Sequence, residues 1–584
     1  MPLAPALLPG LLTALALGSG SGAPLARPAE PGNILILIAD DLGIDQIGAY
    51  GVGSDPAPTP TLDLIAGAGV LFRNAWSQPT CSPTRASIQT GRFAFRTSIG
   101  TVINPFSNGP ALPLSEVTLP EMLDLGTGGL YAHAAIGKWH LGSAQTGADF
   151  APNLAGYSHF AGSLEGQIGN YFNWRRVVNG SVAQSTRYAT TSSVNDGLAW
   201  IRQQDGPWLC VVSFQAPHAP FHRPPPRLHS QVLPPGTPPI SCDAPGPDPR
   251  PFYKAAVEAL DHEIGRMIFS LPAGELAQTT VFFLADNGTD RCLPQAPFTS
   301  DAKGTLYEGG VRVPLLVAGL GVVQGGECAA LVGVTDLFAT VAELAGVDLA
   351  ATLPGVVLDS VSFAPCLADP AQSSREWLFA EAFSHNGPGN PPVLPPCPAA
   401  DVCQTSLGFD GPGSATLTSC GPPLYGVYGA NVVPWQLSGA PPFAETWLVI
   451  GSFAPAWQPQ LGAWLVSPPP NVMLSYYTGG SGTLAGATWT PSSSFERYYQ
   501  FIVRDLSQPL GFSVSNALRM DLLPTHSRAV RGPRYKLIRF DPCSEEFYDL
   551  AQDPFEHTDL LARALTVSER AAYDSLAQRL ALLH

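Results

Sequence analysis

Charged side chains are scarce in this chain of 584 residues, where Asp, Glu, Lys and Arg together make up only 13%. Positive charge is the scarcer sign, with 30 Lys and Arg against 46 Asp and Glu, for a formal net charge of −16. Since no basic tract occurs either, a nucleic-acid partner is not expected. The negative surface would also repel an anionic ligand at long range, so any anion site must be a local positive pocket.

Long apolar runs are also missing. Residues 6–17 form a short apolar run followed by small residues at 18–23, which is typical of a secretory signal peptide. This run is too short to be a stable transmembrane anchor, and no other run is long and apolar enough to be one. The sequence therefore predicts a signal peptide at residues 1–26, a secreted or periplasmic protein, and no stable membrane span.

The apolar content argues against a mainly disordered chain. Hydrophobic residues make up 45%, while 59 Gly and 60 Pro indicate many turns and long ordered loops. A chain of this length should hold one large domain and a smaller one. We place the large domain at residues 33–370 and the smaller one at 371–584, because the character of the sequence changes at about 370.

Two apolar runs each end in a pair of oxygen-bearing side chains. One run precedes Asp40 and Asp41, and the other precedes Asp286 and Asn287. Continuous branched apolar runs are typical of strands buried on both faces of a parallel sheet, and ligands bind where such strands end. Adjacent acids can simply belong to a solvated turn. Two such pairs, however, offer the oxygen ligands of a hard cation, with Ca²⁺ preferred over Mg²⁺.

Two further strand ends carry a lysine and histidines. The segment 137–142 contains Lys138 and His140, and a Pro-His-Ala-Pro turn contains His218. A lone lysine is usually solvated and a lone histidine usually makes a structural hydrogen bond. Because four successive strands end in such groups, we expect them to share one edge of the sheet.

A cysteine lies at a predicted helix start within residues 80–92. Ser82 and Pro83 have the pattern of a capping residue and a first-turn proline, which puts Cys81 at a helix N-terminus, where backbone amides favour an anion. Arg85, about one turn on, would add a positive charge. Cys81 could also be a buried thiol or half of a disulfide. Its position nevertheless suits a nucleophile that faces an anionic ester.

These segments together resemble the formylglycine-dependent (cysteine-type) sulfatases of the alkaline phosphatase-like superfamily. The matching motifs are Cys-x-Pro-x-Arg at 81–85, Gly-Lys-Trp-His-Leu-Gly at 137–142, Pro-His-x-Pro at 217–220 and Lys-Gly-x-x-Tyr-Glu-Gly-Gly-x-Arg-Val-Pro at 303–314. The resemblance covers residues 33–384 and, less closely, 531–560, and it leaves an unusual insert at about 385–530 that has no recognised counterpart in the family. It implies an α/β fold in which helices sandwich a large, mostly parallel or mixed sheet. A smaller C-terminal α+β domain would contain an antiparallel sheet.

The resemblance also implies an activity. Cys81 would be oxidised to formylglycine by a formylglycine-generating enzyme, and the protein would hydrolyse an aryl or carbohydrate sulfate ester. One Ca²⁺ would be held by four side chains: Asp40, Asp41, Asp286 and Asn287. The implied catalytic residues are Cys81, Arg85, Lys138, His140, His218 and Lys303. Of these, Lys138, His218 and Lys303 would contact the sulfate, and Ser163 is a further candidate for that contact.

The family mechanism assigns a role to each proton transfer. One hydroxyl of the hydrated aldehyde attacks sulfur, and His218 or Lys303 protonates the departing alcohol. His140 then deprotonates the second hydroxyl, so that sulfate leaves and the aldehyde returns. A plain serine ester could not collapse in this way.

Several alternatives stay open at the sequence level. A phosphonate monoester or phosphodiester hydrolase would use the same aldehyde and metal, and a secreted glycan-binding relative would have no catalysis. Glu308 and Arg312 could belong to the site or form a structural ion pair. Besides Cys81 there are nine cysteines, and the cluster at 397, 403 and 420 is the expected place for a disulfide. The aromatic residues of the insert could bind sugar or pack a core.

Overall fold

The computed structural model describes residues 31–583, with gaps at 243–245, 299–301, 384–385, 388–401 and 541–543 and further short gaps between 404 and 525. The predicted signal peptide at 1–26 lies outside these residues. The chain divides into two compact units. One comprises Met1–Pro391, Ser527–Phe540 and Ser544–His584, and the other comprises Pro392–His526 and Asp541–Cys543. The domain boundary placed between residues 370 and 371 stays a prediction.

The larger unit is organised around a ten-stranded mixed sheet. Its strands are β1 (Asn33–Asp40), β2 (Gly69–Trp76), β3 (Ala132–Lys138), β4 (His159–Ser163), β5 (Trp174–Val178), β6 (Ser181–Ser185), β7 (Trp208–Pro217), β8 (Thr279–Ala285), β9 (Leu315–Gly319) and β10 (Gly326–Gly333). They lie in the order β10-β2-β9-β8-β1-β7-β3-β4-β5-β6. A further strand of this unit, β11 (Leu378–Phe383), lies outside this sheet.

The centre of the sheet is parallel. β8, β1, β7 and β3 are neighbours that run in one direction, and β1 is buried along its whole length, as its continuous apolar sequence predicts. Parallel neighbours end at the same edge of a sheet. The residues that follow these four strands are therefore brought together.

Helices cover this sheet. The larger unit contains α1 (Pro60–Ala68), α2 (Cys81–Thr90), α3 (Ala94–Thr97), α4 (Leu119–Thr127), α5 (Ala151–Leu154), α6 (Ala189–Ile201), α7 (Arg250–Phe269), α8 (Ala273–Ala277), α9 (Glu308–Val311), α10 (Leu337–Ala345), α11 (Leu349–Thr352), α12 (Ala364–Ala368) and α13 (Val567–Leu582). Helices α1, α6 and α7 pack on strands of the sheet. Among the described helices, none has the length and apolarity needed to cross a membrane.

The smaller unit consists of β-strands within the region of the predicted insert. They are β12 (Val402–Cys403), β13 (Thr405–Ser406), β14 (Thr416–Thr418), β15 (Cys420–Gly421), β16 (Asn431–Ser438), β17 (Glu445–Gly451), β18 (Phe453–Gln458), β19 (Gly462–Val466), β20 (Val472–Tyr477), β21 (Leu484–Thr490), β22 (Glu496–Arg504), β23 (Phe512–Val514) and β24 (Leu518–Asp521). The largest sheet has the order β13-β24-β22-β17-β20, with β23 on β22. The side chains of Trp435, Trp457, Trp464 and Trp489 lie outside the described residues, so the role of these aromatic residues of the insert stays a prediction.

A four-stranded sheet lies near the C-terminal end of the larger unit. β11 is followed in it by β25 (His526–Arg531), β26 (Tyr535–Phe540) and β27 (Ser544–Asp549). β26 is antiparallel to both β25 and β27, and α13 packs on β26. The predicted fold class, a large mixed sheet with helices and a smaller antiparallel sheet, is confirmed.

Glu308 anchors the larger unit's C-terminal sheet. Its buried carboxylate accepts a hydrogen bond from Trp76 Nε1 at 3.1 Å and lies 2.8 Å from Arg531 Nη1 and 3.3 Å from Lys536 Nζ. Arg312 Nε is 4.0 Å from Glu308 Oε2. The ion pair between Glu308 and Arg312, which was considered from the sequence, is therefore longer than the pairs of Glu308 with Arg531 and Lys536. Burial alone would raise the pKa of Glu308, but Arg531 and Lys536 lower it. These contacts support the structural interpretation of Glu308.

One disulfide joins Cys242 to Cys292 and thereby ties the loop before α7 to the loop after β8. The sequence did not predict this pair. Four other described cysteines are free and buried: Cys81, Cys210, Cys328 and Cys366. The backbones of Cys403 and Cys420 are paired between β12 and β15, but the side chains of that predicted cluster lie outside the described residues.

Candidate active site

The four strand ends converge as predicted. Asp40 ends β1, Lys138 ends β3, His218 follows β7 and Asp286 follows β8. Asp40 and Asp286 are completely buried, and only 2% of Lys138 is exposed. The carboxyl edge of the parallel strands thus gathers charged groups into a largely buried cluster. Buried charges of this kind require partners.

Cys81 faces this cluster from the first residue of α2. Its Sγ lies 3.6 Å from Asp40 Oδ1, and the residue is 1% exposed. The residue that precedes the helix is Thr80, in extended conformation. The sequence had suggested Ser82 as the capping residue, and this is wrong. Ser82 is inside the helix, and its hydroxyl donates instead to the carbonyl of His140 at 2.9 Å.

Three basic side chains pair with the three acids. Lys138 Nζ is 2.6 Å from Asp40 Oδ2, and Lys303 Nζ is 2.7 Å from Asp41 Oδ1. Arg85 donates to Asp286 Oδ2 from Nη2 at 2.8 Å and from Nε at 3.1 Å. Its Nη1 donates to the carbonyl of Lys138 at 3.0 Å, which links α2 to β3. The negative charge of the three carboxylates is therefore largely compensated by these three basic side chains.

The backbone after β1 takes an uncommon conformation to place Asp41. Its φ is +65°, in the left-handed region, and Tyr253 OH donates to its carbonyl at 2.7 Å. Asp41 Oδ1 accepts from Asn287 Nδ2 at 2.8 Å, and the backbone N–H of Asp41 donates to Asp286 Oδ1 at 3.3 Å. Both oxygen-bearing pairs predicted from the sequence therefore lie in one network.

The donor set suits a cation. Asn287 Oδ1 is buried and accepts no hydrogen bond from any described residue. A buried amide oxygen without a partner is costly, and a bound metal ion would satisfy it. Ligand atoms of Asp40, Asp41, Cys81 and His218 also lie within 4.8 Å of one another. Carboxylate and amide oxygens are ligands of hard cations.

Burial and charge set the protonation of the acids and the thiol. Burial, reinforced by Asp286, raises the pKa of Asp40 well above its usual value. Burial would also raise the pKa of Asp41, but His218 and Lys303 outweigh it and lower this pKa to about 2. Burial raises the pKa of the Cys81 thiol to about 12, even beside Lys138. An unmodified Cys81 would therefore be a thiol at neutral pH, and the thiolate is the nucleophilic form of cysteine.

His140 is held in one tautomer. Its Nε2 is 2.9 Å from the carbonyl of Ile103, and because a carbonyl can only accept, Nε2 carries the proton. Nδ1 is buried without a hydrogen-bond partner among the described residues. Burial and the charge of Lys138 lower the pKa of His140 well below its usual value. Gly166 packs on the ring, where a Cβ would lie 2.3 Å from Nε2. His140 therefore offers an unprotonated Nδ1.

His218 presents its other ring nitrogen to the site. Nδ1 is 2.6 Å from the carbonyl of Ala219, so Nδ1 carries a proton. Nε2 lies 3.5 Å from Asp41 Oδ2, and the side chain is 11% exposed, more than Asp41 or Cys81. Burial lowers the pKa of His218 to about 3 despite the neighbouring carboxylate.

Ser163 is placed close by, but its hydroxyl has another partner. It ends β4 directly opposite Lys138, and its Oγ accepts the backbone N–H of Glu165 at 3.1 Å. Its contact with sulfate stays a prediction.

Sequence reasoning missed Tyr253 and Tyr171, which hold the Asp41 and His218 segments through their hydroxyls. Buried tyrosines carry no sequence signal for such contacts.

Comparisons with known proteins show which proteins this chain is similar to. The family model described as Sulfatase matches residues 32–347. The chain is 32% identical to arylsulfatase A of Bos taurus over 62% of its own length and 72% of that protein. It is 31% identical to N-acetylgalactosamine-6-sulfatase of Sus scrofa over 56% of its length and 65% of that protein. The crystal structure of Ps i-CgsB with k-i-k-neocarrahexaose shares the fold at 17% identity, with a TM-score of 0.61 over 95% of this chain and 93% of that one.

Proposed function

This chain belongs to the sulfatase family of sulfuric ester hydrolases, and we propose that it hydrolyses an aryl or carbohydrate sulfate with a nucleophile made from Cys81. The observation that carries the proposal is the position of Cys81. It lies at a helix N-terminus, faces Asp40 and is enclosed by three acid–base pairs. Backbone amides and basic side chains around a buried nucleophile are what transfer of an anionic group requires.

Cys81 Sγ stands in for an oxygen of the hydrated aldehyde. We propose that a formylglycine-generating enzyme oxidises this thiol during maturation of a secreted or periplasmic protein. When present, the formylglycine hydrate supplies two hydroxyls on one carbon, one to accept the sulfate and one whose deprotonation releases it. The protonated thiol of unmodified Cys81 would be a poor substitute.

Four side chains would hold one Ca²⁺, or less suitably Mg²⁺: Asp40, Asp41, Asp286 and Asn287. The unpartnered Asn287 Oδ1 favours this assignment. A calcium ion bound there would supply positive charge, which would offset the negative charge of the sulfate oxygens.

The chain's own residues would divide the remaining work. Lys138, Lys303 and Arg85 surround the nucleophile and would offset the negative charge that develops on the transferred group. Lys303 Nζ, or His218 Nε2 once the charge of the bound ester has raised its pKa and protonated it, would protonate the departing alcohol oxygen. His140 Nδ1, free of other partners among the described groups, would accept the proton whose removal releases sulfate.

Mass spectrometry of the tryptic peptide 74–85 tests the nucleophile. Protein made with the cysteine-oxidising machinery should show an aldehyde at Cys81, and Cys81→Ala should abolish sulfate release without unfolding the chain. Cys210→Ala, which removes another buried free thiol on β7, is the matched control and should retain activity. Wild-type-like turnover by Cys81→Ala would overturn the proposal.

Substrate comparison tests the reaction class. Aryl sulfate should be turned over faster than aryl phosphonate or phosphodiester at saturation, and the reverse order would favour the phosphonate hydrolase. Calcium-dependent glycan binding without sulfate release would instead favour a non-catalytic binding protein.

A further inference from the structure

The turn that carries His218 is held by a tyrosine from a distant part of the chain. Tyr171, between β4 and β5, is 1% exposed. Its hydroxyl lies 2.6 Å from the carbonyl of Gln215 and 2.7 Å from the carbonyl of His218. The one proton of this hydroxyl is shared between the carbonyls at the two ends of the four-residue turn, whose own hydrogen bond runs from His218 N to Gln215 O at 3.1 Å.

The same turn is held on its other side by a histidine outside the catalytic set. His222 stacks on Tyr171 with ring centroids 3.8 Å apart and an interplanar angle of 20°. Its Nδ1 is 3.1 Å from the carbonyl of Pro220, so this nitrogen carries the proton, and Nε2 accepts from Tyr188 OH at 3.0 Å. The stack therefore fixes the tyrosine ring, and the hydrogen bond to Pro220 holds the chain two residues beyond the turn.

The side chain of His218 depends on where this turn lies. Its Nδ1 donates to the carbonyl of Ala219, within the same segment, while Nε2 lies 3.5 Å from Asp41 Oδ2. A shift of the turn would therefore move the ring as a unit relative to Asp41. Displacements of about 1 Å at a catalytic group are enough to cost about a hundredfold in rate.

We propose that Tyr171 is a positioning residue for His218: its hydroxyl, fixed by stacking on His222, sets the distance of the imidazole from Asp41 and from the bound ester. Tyr171 itself makes no contact with the reacting atoms. The consequence for catalysis rests on the proposed sulfatase function, whereas the consequence for the position of the imidazole does not.

Tyr171→Phe tests the proposal because it removes the hydroxyl and keeps the stacked ring. We expect kcat/KM for an aryl sulfate to fall about tenfold, with the thermal midpoint close to that of the control. Tyr131→Phe is the matched control, since it removes another buried hydroxyl that donates to a carbonyl, that of Gly32 at 2.9 Å. Equal kinetics for the two variants would overturn the proposal.

A double-mutant cycle separates positioning from general loosening. In a His218→Gln background, Tyr171→Phe should lower kcat/KM by less than twofold, because the group it positions is gone. A full tenfold loss in that background would show that Tyr171 acts elsewhere and would overturn the proposal.

The position of the imidazole can be followed without turnover. In protein labelled at its 11 histidines, the ring resonance that disappears in His218→Gln should shift in Tyr171→Phe and stay in place in Tyr131→Phe. An unshifted resonance would overturn the positioning role even if the protein hydrolysed no sulfate ester. A wild-type enzyme without sulfatase activity but with the shifted resonance would overturn the proposed function alone.

Discussion

At the residue scale, the site depends on polar atoms that have no other partner. Asn287 Oδ1 and His140 Nδ1 are both buried and accept no hydrogen bond from described residues. Such atoms destabilise the fold unless something binds them, which is consistent with the roles proposed for these two residues. In the proposed function, Asn287 Oδ1 would bind the cation and His140 Nδ1 would accept a proton during the reaction.

Asn287→Ala should weaken calcium binding at least tenfold, because it removes a buried ligand oxygen. The first measurement is a calorimetric titration with calcium. The second is the thermal midpoint of the chelated protein before and after calcium is added, since a ligand that binds the folded state raises this midpoint. Asn153→Ala, a change at a structural amide that donates to the carbonyl of Tyr157, should leave the calcium affinity unchanged. Equal calcium affinities of Asn287→Ala and wild type would remove Asn287 from the metal site.

Asp261 should make stability depend on pH. Burial raises its pKa to about 7, although the backbone N–H groups of Thr61 and Leu62 donate to it. An unfolded aspartate has a pKa of about 3.9, so between about pH 4 and pH 7 the folded state holds a proton that the unfolded state lacks. The free energy of unfolding should therefore fall as the pH rises through this window.

Asp261→Asn should flatten that slope, as measured by urea unfolding at pH 5 and pH 7.5. Asp55→Asn changes an exposed carboxylate that pairs with Lys254 and serves as the control. An unchanged slope in Asp261→Asn would contradict the role of this carboxyl.

At the element scale, short segments are joined by buried charge. Helix α9 begins at Glu308, whose carboxylate meets Arg531 of β25 and Lys536 of β26. Lys536 Nζ is also 2.6 Å from Glu556 Oε1 and lies over the ring of Trp76 at 4.6 Å. These contacts connect the C-terminal sheet to strand β2 within one unit. A four-residue helix could not be stable without such tertiary contacts.

Glu308→Ala should lower the free energy of unfolding by about 3–5 kcal/mol, because it removes the buried carboxylate that pairs with Arg531 and leaves Lys536 only Glu556 as an acidic partner. Glu327→Ala removes an exposed partner of Arg73 and should cost at most about 1 kcal/mol. Denaturant unfolding of both variants gives the comparison. Similar losses for the two would mean that burial does not distinguish these ion pairs.

At the scale of the whole molecule, distant segments are fixed around one edge of the sheet. The disulfide between Cys242 and Cys292 closes a loop of 50 residues and joins the segment after β8, which carries Asn287, to the loop before α7. Closing such a loop restricts the unfolded chain more than the folded one.

Replacing both Cys242 and Cys292 with alanine should lower the free energy of unfolding by about 4 kcal/mol, the value expected for a loop of this length. A reductant should lower the stability of the wild-type protein and leave the double variant unchanged. Equal sensitivity of both proteins to reductant would mean that this bond does not contribute.

The sequence by itself determined the fold class, and it predicted which residues gather at one edge of the sheet. Continuous apolar runs specify buried parallel strands, and the residues that end them, such as Asp40 and Lys138, must meet because parallel strands share a carboxyl edge. The family motifs identified the sulfatase fold for the same reason, since they lie at those strand ends and at the start of α2.

Only the tertiary structure decided which groups are partners. Ser82 has the chemistry of a capping residue, yet it donates to His140, and Glu308 pairs more closely with Arg531, 223 residues away, than with Arg312. The roles of Tyr171, Tyr253 and the bond between Cys242 and Cys292 likewise follow from packing. Hydrogen bonds and ion pairs act over a few ångströms, and a sequence pattern does not contain the distances between segments hundreds of residues apart.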